Sequence, residues 1–341
     1  MVLPEMKGCR RADRPDRAGR RGQSLTRSGP PSIGSPRARN GWGHPATSMS
    51  RGAGTISVEL FSANFLHPRR VSALLVAAPI SQCRPGGGSI MKVVVIGGSG
   101  LIGSKLVKIL DAQGHEAVAA SPKTGVNTLT GEGVVEALAG AGAVVDVSNS
   151  PSLEGSAALE FFETSTRNLL AAAADAGVGH YVALSVVGSE RLSDSGYMRA
   201  KVAQEKLITA SGLPYSLVHA TQFFEFVQGI IDAATDGDTV HLAPVLIQPM
   251  AADDVAAAVA EVVVGAPTYA VVEVGGPEQF RLDELGRSVL EAQRDPRSVV
   301  GDSGARYFGA AVAERSLVPA DGARIAGTRL DEWRTRASHG Q

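Results

Sequence analysis

Cysteine is almost missing: the 341 residues hold two, Cys9 and Cys83, both among the first ninety. The rest of the chain therefore has neither a disulfide framework nor a thiolate metal site. Histidine does not fill that role. The seven His residues are scattered without zinc-ligand spacing, so no metal is expected. Aromatic residues are few, at 5%, and the basic stretches lack the interleaved aromatics of a nucleic-acid-binding arm. Long apolar runs are also lacking. The nearest, "VSALLVAAPI" at 71–80, falls short of the roughly 18–20 residues a membrane span needs. These absences lead us to expect a soluble, cytoplasmic protein with a small-molecule substrate, no membrane span, and no nucleic acid on its folded part.

The formal net charge of -1 conceals two opposed regions. Residues 1–90 carry 14 Lys+Arg against 4 Asp+Glu, and the remainder carries 19 against 30. The first region is rich in Arg, Gly, Pro and Ser and has no apolar period, so it cannot bury enough surface to offset its ordering entropy. It reads as a disordered basic extension. A nucleic-acid arm and an organelle transit peptide are two readings of it, though Glu5, Asp13 and Asp16 count against the second. The favoured reading is an upstream extension outside the working protein, with a natural start at Met91, just after "GGGSI".

From Met91 the texture changes. "MKVVVIGG" (91–98) is an apolar run into glycines, as a buried parallel strand requires. "LIGSKLVKILDAQG" has helical period and stops at Gly114. Strand and helix then alternate: strands at 143–148, 180–188 and 214–220, helices near 131–139 and over 154–177 and 197–211. That pattern predicts an α/β fold, a doubly wound parallel sheet of the Rossmann type over 91–330. After about residue 221 the alternation loosens, which suggests a smaller C-terminal substrate lobe over 221–330. The final segment from Gly322 is expected to fray.

"VVVIGGSGLIGSKL" holds Gly98-x-Gly100-x-x-Gly103, with Gly97 before it, between a strand and a helix. In that context glycines let backbone N–H groups of Gly97 to Gly103, including those of Ser99, Leu101 and Ile102, approach a pyrophosphate at the helix's positive end. A dinucleotide is expected. An NAD site usually shows an acid about 20 residues on, at the end of the second strand. Here that strand ends "AVAASPK", with Ser121 and Lys123 placed to receive a 2′-phosphate, so NADP is preferred over NAD.

Tyr197 and Lys201 in "SGYMRAK" stand four apart, on one face of a helix. Together with the glycine loop and the strand "HYVALSVVG", they give the chain a resemblance to the short-chain dehydrogenase/reductases. "GVNTLTGEG", "FFETSTRNLLAAA" and "SGLPYSLVHATQFFEF" resemble its atypical, NmrA-like NAD(P)H-binding branch, and the likeness runs from about 91 to 300. The resemblance maps Ser185, Tyr197 and Lys201 onto the family's catalytic set. Tyr197 would exchange a proton with a carbonyl or alcohol oxygen, and Ser185 would donate a hydrogen bond to that oxygen. Lys201 would favour the phenolate and hold the nicotinamide ribose. Asn149 resembles a cofactor-contacting position.

Many members of that branch carry Arg-Pro where this chain has His219 and Ala220. His219 either lines the nicotinamide end or is a satisfied buried histidine. His219, Gln222 and Phe223 are the candidate substrate-side residues. The implied function is NAD(P)H-dependent hydride transfer to a small carbonyl or quinone-like acceptor. A dinucleotide-sensing regulator without turnover and a sugar-nucleotide epimerase or dehydratase are the alternatives. The resemblance also implies a homodimer formed through the helices over 156–176 and 197–211.

Overall fold

The computed structural model describes residues 90–339, so the expected extension, up to residue 89, lies outside the described residues. In its first half Lys92–Ile96 is β1, Leu101–Ala112 α1, Glu116–Ala120 β2, Val134–Leu138 α2, Ala143–Asp146 β3, Gly155–Asp175 α3, His180–Val186 β4, Gly196–Ala210 α4 and Tyr215–Ala220 β5. Beyond these come α5 (Val227–Ala233), β6 (Thr235–Asp236), β7 (Thr239–Leu242), β8 (Leu246–Ile247), α6 (Ala252–Val264) and β9 (Val271–Gly275). The described chain finishes with β10 (Phe280–Arg281), α7 (Leu282–Gln293), β11 (Ser298–Gly301), β12 (Arg324–Ile325) and α8 (Leu330–His339).

Seven strands form one sheet in the order β12-β9-β5-β4-β3-β1-β2, parallel at every pairing. The strands are apolar without alternation because both faces are covered. Val93, Val95, Val145, Val182 and Val218 face a core shared with Leu106 of α1 and Val255 and Val259 of α6. The alternate residues Val94, Ile96, Val144, Tyr181 and Leu217 face a second core with Leu169 and Ala173 of α3 and Ile208 of α4. Each such side chain contributes roughly 1.5–3 kcal/mol when fully buried.

After β1 the chain turns to β2 on one side and then crosses to β3 on the other. Ligands of such sheets bind in the crevice at that reversal, beyond the carboxyl ends of the strands. On the far face α3 and α4 touch backbone to backbone. A Cβ on Gly155 would stand 2.8 Å from Gly196 Cα, and one on Gly196 would stand 2.4 Å from Gly155 Cα.

The C-terminal part departs from expectation in two ways. It is not one continuous lobe, because α6 packs beside α1, and β9 and β12 extend the main sheet. Nor is its last described segment irregular: β12 pairs with β9, and Trp333 of α8 packs on Phe224 at 5.4 Å and donates to Glu225 Oε1 at 3.0 Å. Those aromatic anchors fall outside any regular period, so the helix was not evident from the sequence. The lobe proper has its own core around Ile230, Ile231, Val240, Leu285, Tyr307 and Leu317.

Candidate active site

The glycine loop is built by contacts that leave no room for side chains. A Cβ on Gly98 would meet Ala119 Cα at 2.7 Å, and one on Gly103 would meet the Gly97 carbonyl oxygen at 2.2 Å. The loop is therefore pressed against β2 and against the first turn of α1. Gly100 caps α1 without a side-chain hydrogen bond, and no acidic residue sits in the first turn. The first N–H groups of a 12-residue helix are thus left for an anion at its positive end. Ser99 is exposed and Leu101 half-buried. Ile102 turns its side chain into the core, so only its backbone serves the loop.

At the end of β2, Ser121 is 5% exposed, and its hydroxyl has no hydrogen-bond partner. An orphan hydroxyl at this edge fits a ribose or its phosphate. Lys123 is exposed, on the short 3₁₀ turn Pro122–Thr124 that follows. The cradle, the uncapped helix and the orphan hydroxyl together fit a dinucleotide. Its pyrophosphate would lie over residues 97–103 and its adenosine ribose beside Ser121.

A buried polar network fills the carboxyl ends of β3, β4 and β5. Asp146 closes β3 and accepts from Ser148 Oγ at 2.6 Å and from Gln204 Nε2 at 2.9 Å. Burial raises its carboxyl despite help from Ser148, Lys201 and Gln204. Lys201, 2% exposed, donates to the Leu184 carbonyl at 2.9 Å and to Gln204 Oε1. Its ammonium stands 4.4 Å from the centre of the Phe162 ring. Burial lowers Lys201 to about 8, although Asp146 and Glu205 pull it back up. On the next strands, Ser185 Oγ donates to Glu205 Oε1, and His219 Nε2 lies 3.1 Å from that same oxygen. Burial would raise Glu205, but His219, Ser185 and Lys201 outweigh it and leave the carboxyl below its ordinary value.

Tyr197 is separate from this network. Its hydroxyl donates to Asn149 Oδ1 at 2.8 Å, and its ring meets Phe162 edge-on at 6.0 Å. Burial pushes the phenol well above its ordinary value, and nothing offsets it. The structure thus gathers Ser185, Lys201 and His219 into one buried cluster and joins Tyr197 to Asn149. It does not show the expected pull of Lys201 on the Tyr197 phenol, because the ammonium is directed to Leu184 and Gln204. Likewise the Ser185 hydroxyl is directed to Glu205. Gln222 is buried just past β5, and Phe223 stacks on Phe226 at 5.2 Å.

Sequence reasoning missed four residues here. Asp146 was visible as a lone acid in an apolar strand. Gln204 and Glu205 lie three and four positions beyond Lys201, on the face that already carried it. Tyr307, whose phenol approaches both Gln222 and Tyr197, had no signal, because its contacts cross from a distant loop. Among the described residues no group of three or more His, Cys, Asp or Glu is placed to hold a metal ion. Nor is any described helix long and apolar enough to cross a membrane.

Residues 97–265 match a protein family described as NAD(P)H-binding. No curated protein matches the chain. Among solved structures, MoeE5 in complex with UDP-glucose and NAD is 21% identical over 72% of this chain and 99% of its own, with a TM-score of 0.54. The dTDP-glucose 4,6-dehydratase of Streptomyces venezuelae, with NAD bound, is 18% identical over 73% and 98%, also at 0.54. The dTDP-4-dehydrorhamnose reductase of Bacillus anthracis, in complex with NADP, is 14% identical over 67% and 90%, at 0.53. At these identities the likeness is one of fold.

Proposed function

We propose that the chain is an NADPH-dependent oxidoreductase of the short-chain dehydrogenase/reductase type that reduces a small carbonyl or quinone-like acceptor, a reading supported by the match of residues 97–265 to an NAD(P)H-binding family. One observation carries the reading: the backbone cradle after β1 and the Tyr197–Asn149 pair after β3 open on the same carboxyl edge of the sheet. When bound, the nicotinamide supplies the hydride. The Tyr197 hydroxyl turns from Asn149 to the substrate oxygen and gives it a proton. A phenol held above its ordinary value stays protonated until that moment, which suits a general acid in the reducing direction. Lys201 holds the nicotinamide ribose. Ser185 positions Glu205 and His219 rather than donating to the substrate oxygen, a departure from the role the resemblance implies. Ser121, with Lys123 near it, receives the 2′-phosphate, and the absence of an acid at that edge favours NADPH. His219 shapes the cluster from β5, and Gln222 and Phe223 line the substrate side.

A second reading has its own support. With Lys201 directed to Leu184 and Gln204, the tyrosine lacks the cation that would activate it, as in a dinucleotide sensor without turnover. The sugar-nucleotide alternative gains less. Arg191 lines a cavity of about 440 Å³ but already donates to the carbonyls of Ser316 and Val318.

Titrating the full chain with NADPH and NADH, then screening carbonyls and quinones for cofactor oxidation, separates these readings. We expect tighter NADPH binding, and turnover that falls about 10²–10⁴-fold in Tyr197→Phe while NADPH binding is kept. Binding without turnover, unaffected by Tyr197→Phe, would establish the sensor instead.

A further inference from the structure

Asp146 has no task in the scheme above, yet it is 1% exposed and burial works against its charge. A buried carboxylate costs free energy that an apolar side chain in its place would not. Its two oxygens serve two directions. Oδ1 accepts from the backbone N–H of Ser148 at 3.0 Å and from the Ser148 hydroxyl at 2.6 Å. Oδ2 accepts from Gln204 Nε2 at 2.9 Å.

The first direction leads to Tyr197 and to the glycine cradle. Asn149 follows Ser148, and its Oδ1 accepts the Tyr197 hydroxyl at 2.8 Å. The same turn presses on the cradle. A Cβ on Gly97 would stand 2.9 Å from both the Cα and the backbone nitrogen of Ser148. The second direction leads to Lys201. Gln204 is 1% exposed, and its Oε1 accepts from the ammonium. The orientation of that amide is forced. An ammonium only donates, so the amide oxygen must face Lys201. An ionised carboxylate only accepts, so the amide nitrogen must face Asp146. Together Gln204 and the Leu184 carbonyl occupy two of the ammonium's three N–H bonds and leave one.

We propose that Asp146 is a positioning residue for both proton-handling side chains: through Ser148 it sets the acceptor on which the Tyr197 hydroxyl rests, and through the Gln204 amide it sets the direction of Lys201. The effect on turnover rests on the oxidoreductase reading; the hold on Lys201 does not. Asparagine has the same shape as aspartate, but one of its two terminal atoms donates. If its oxygen stays with Ser148, its nitrogen faces Gln204. That amide must then turn and present its own nitrogen to the ammonium. If its oxygen turns to Gln204, its nitrogen meets the Ser148 N–H, and the turn carrying Asn149 must shift. The second arrangement breaks two hydrogen bonds to Ser148 and the first breaks one, so the Gln204 side gives way.

The test uses the full chain. In a proton–nitrogen spectrum of lysine-labelled protein at pH 6, Lys201 is below the value of about 8 to which burial lowers it. An ammonium held by two acceptors exchanges its protons slowly and gives a signal, assigned by its absence in Lys201→Met. We expect Asp146→Asn and Gln204→Met to lose that signal and Asn149→Ala to keep it. NADP⁺, titrated calorimetrically, should bind each of the first two variants about five- to tenfold more weakly. Their double variant should be no more than about twofold worse than the weaker single, because both cut one connection. A lowered melting temperature with the signal and the NADP⁺ affinity unchanged would reduce Asp146 to a structural residue and overturn the assignment. Losses that multiply in the double variant would overturn it too. If Asp146→Asn does not fold, Gln204→Met and Ser148→Ala cut the two directions separately. The first should lose the signal, and the second should keep it while weakening NADP⁺ about twofold; the opposite pattern would overturn the assignment. With an acceptor that is turned over, Asp146→Asn should lower kcat about tenfold and change the acceptor's KM less than twofold. The expected spectra and affinities without reduction of any acceptor by NADPH would uphold the hold on Lys201 and sink the oxidoreductase reading. Turnover indifferent to Asp146→Asn and Gln204→Met would do the reverse.

Discussion

The two halves of the site work by opposite means. At the end of β1, the architecture depends on atoms that are missing: glycines bring backbone N–H groups to a helix end, and no side chain takes part. At the ends of β3, β4 and β5 it depends on side chains that are costly to bury, a lysine between two carboxylates with a serine and a histidine alongside. The first is a matter of shape and the second of charge. A substitution should therefore fail sterically at one and electrostatically at the other.

The largest effect is expected at the glycine loop. In Gly103→Ala the new Cβ would stand 2.2 Å from the Gly97 carbonyl, so α1 must move away from β1. Dinucleotide binding should be lost by titration, with stability reduced by about 1–3 kcal/mol in urea unfolding. Gly100→Ala, whose Cβ would meet only the Gly97 oxygen at 3.2 Å, is the milder control. Near-equal behaviour of the two would break the claim that backbone fit decides this half.

Next comes Lys201→Met, a test of charge. Folded Lys201 loses its proton near pH 8, against 10.5 for an ordinary lysine. Between those values the unfolded chain holds the extra proton, so the penalty for burying the ammonium is full below about 8 and fades as pH rises. The unaltered protein should gain on Lys201→Met by up to about 1.4 kcal/mol per pH unit across that window, read by urea unfolding at several pH values. A constant difference from pH 7 to 10 would show that burial does not perturb this lysine.

The smallest effect is expected at the outer rim, past the end of β2. Lys123→Glu puts a carboxylate beside the proposed 2′-phosphate, and NADPH should weaken several-fold while NADH changes little. An equal change for both would remove Lys123 from the cofactor site.

The same contrast explains what could be read from the sequence. The glycine loop is local: strand, turn and helix lie within residues 92–112, and their spacing states the geometry. The parallel sheet was legible because burial on both faces leaves unbroken apolar runs such as "KVVVI". The charge cluster is assembled across strands. Ser185 meets Glu205 only when α4 folds back over β4, and His219 reaches that carboxylate from β5. The departure at His219 was visible, but its partner was not. The expectation that Lys201 would act on Tyr197 rested on a shared helix face. The structure shows that neighbours on other elements, Leu184 and the Phe162 ring, decide where the ammonium points. The lobe's return to the sheet through β9 and β12 lay beyond any local signal, because those short strands gain their place by pairing.

The backbone contact of Gly155 with Gly196 sets how freely this site can be altered. Gly196 immediately precedes Tyr197, and α3 supplies Phe162, on which both Tyr197 and Lys201 rest. The proton-bearing residues are thus gauged by two glycines with no compressible atoms between them. The residues proposed for the substrate side, Gln222 and Phe223, come from chain beyond residue 220. A protein engineer could change single residues there and leave the Gly155–Gly196 contact, and with it the spacing of α3 and α4, untouched. Any side chain added at Gly196 would shift both at once.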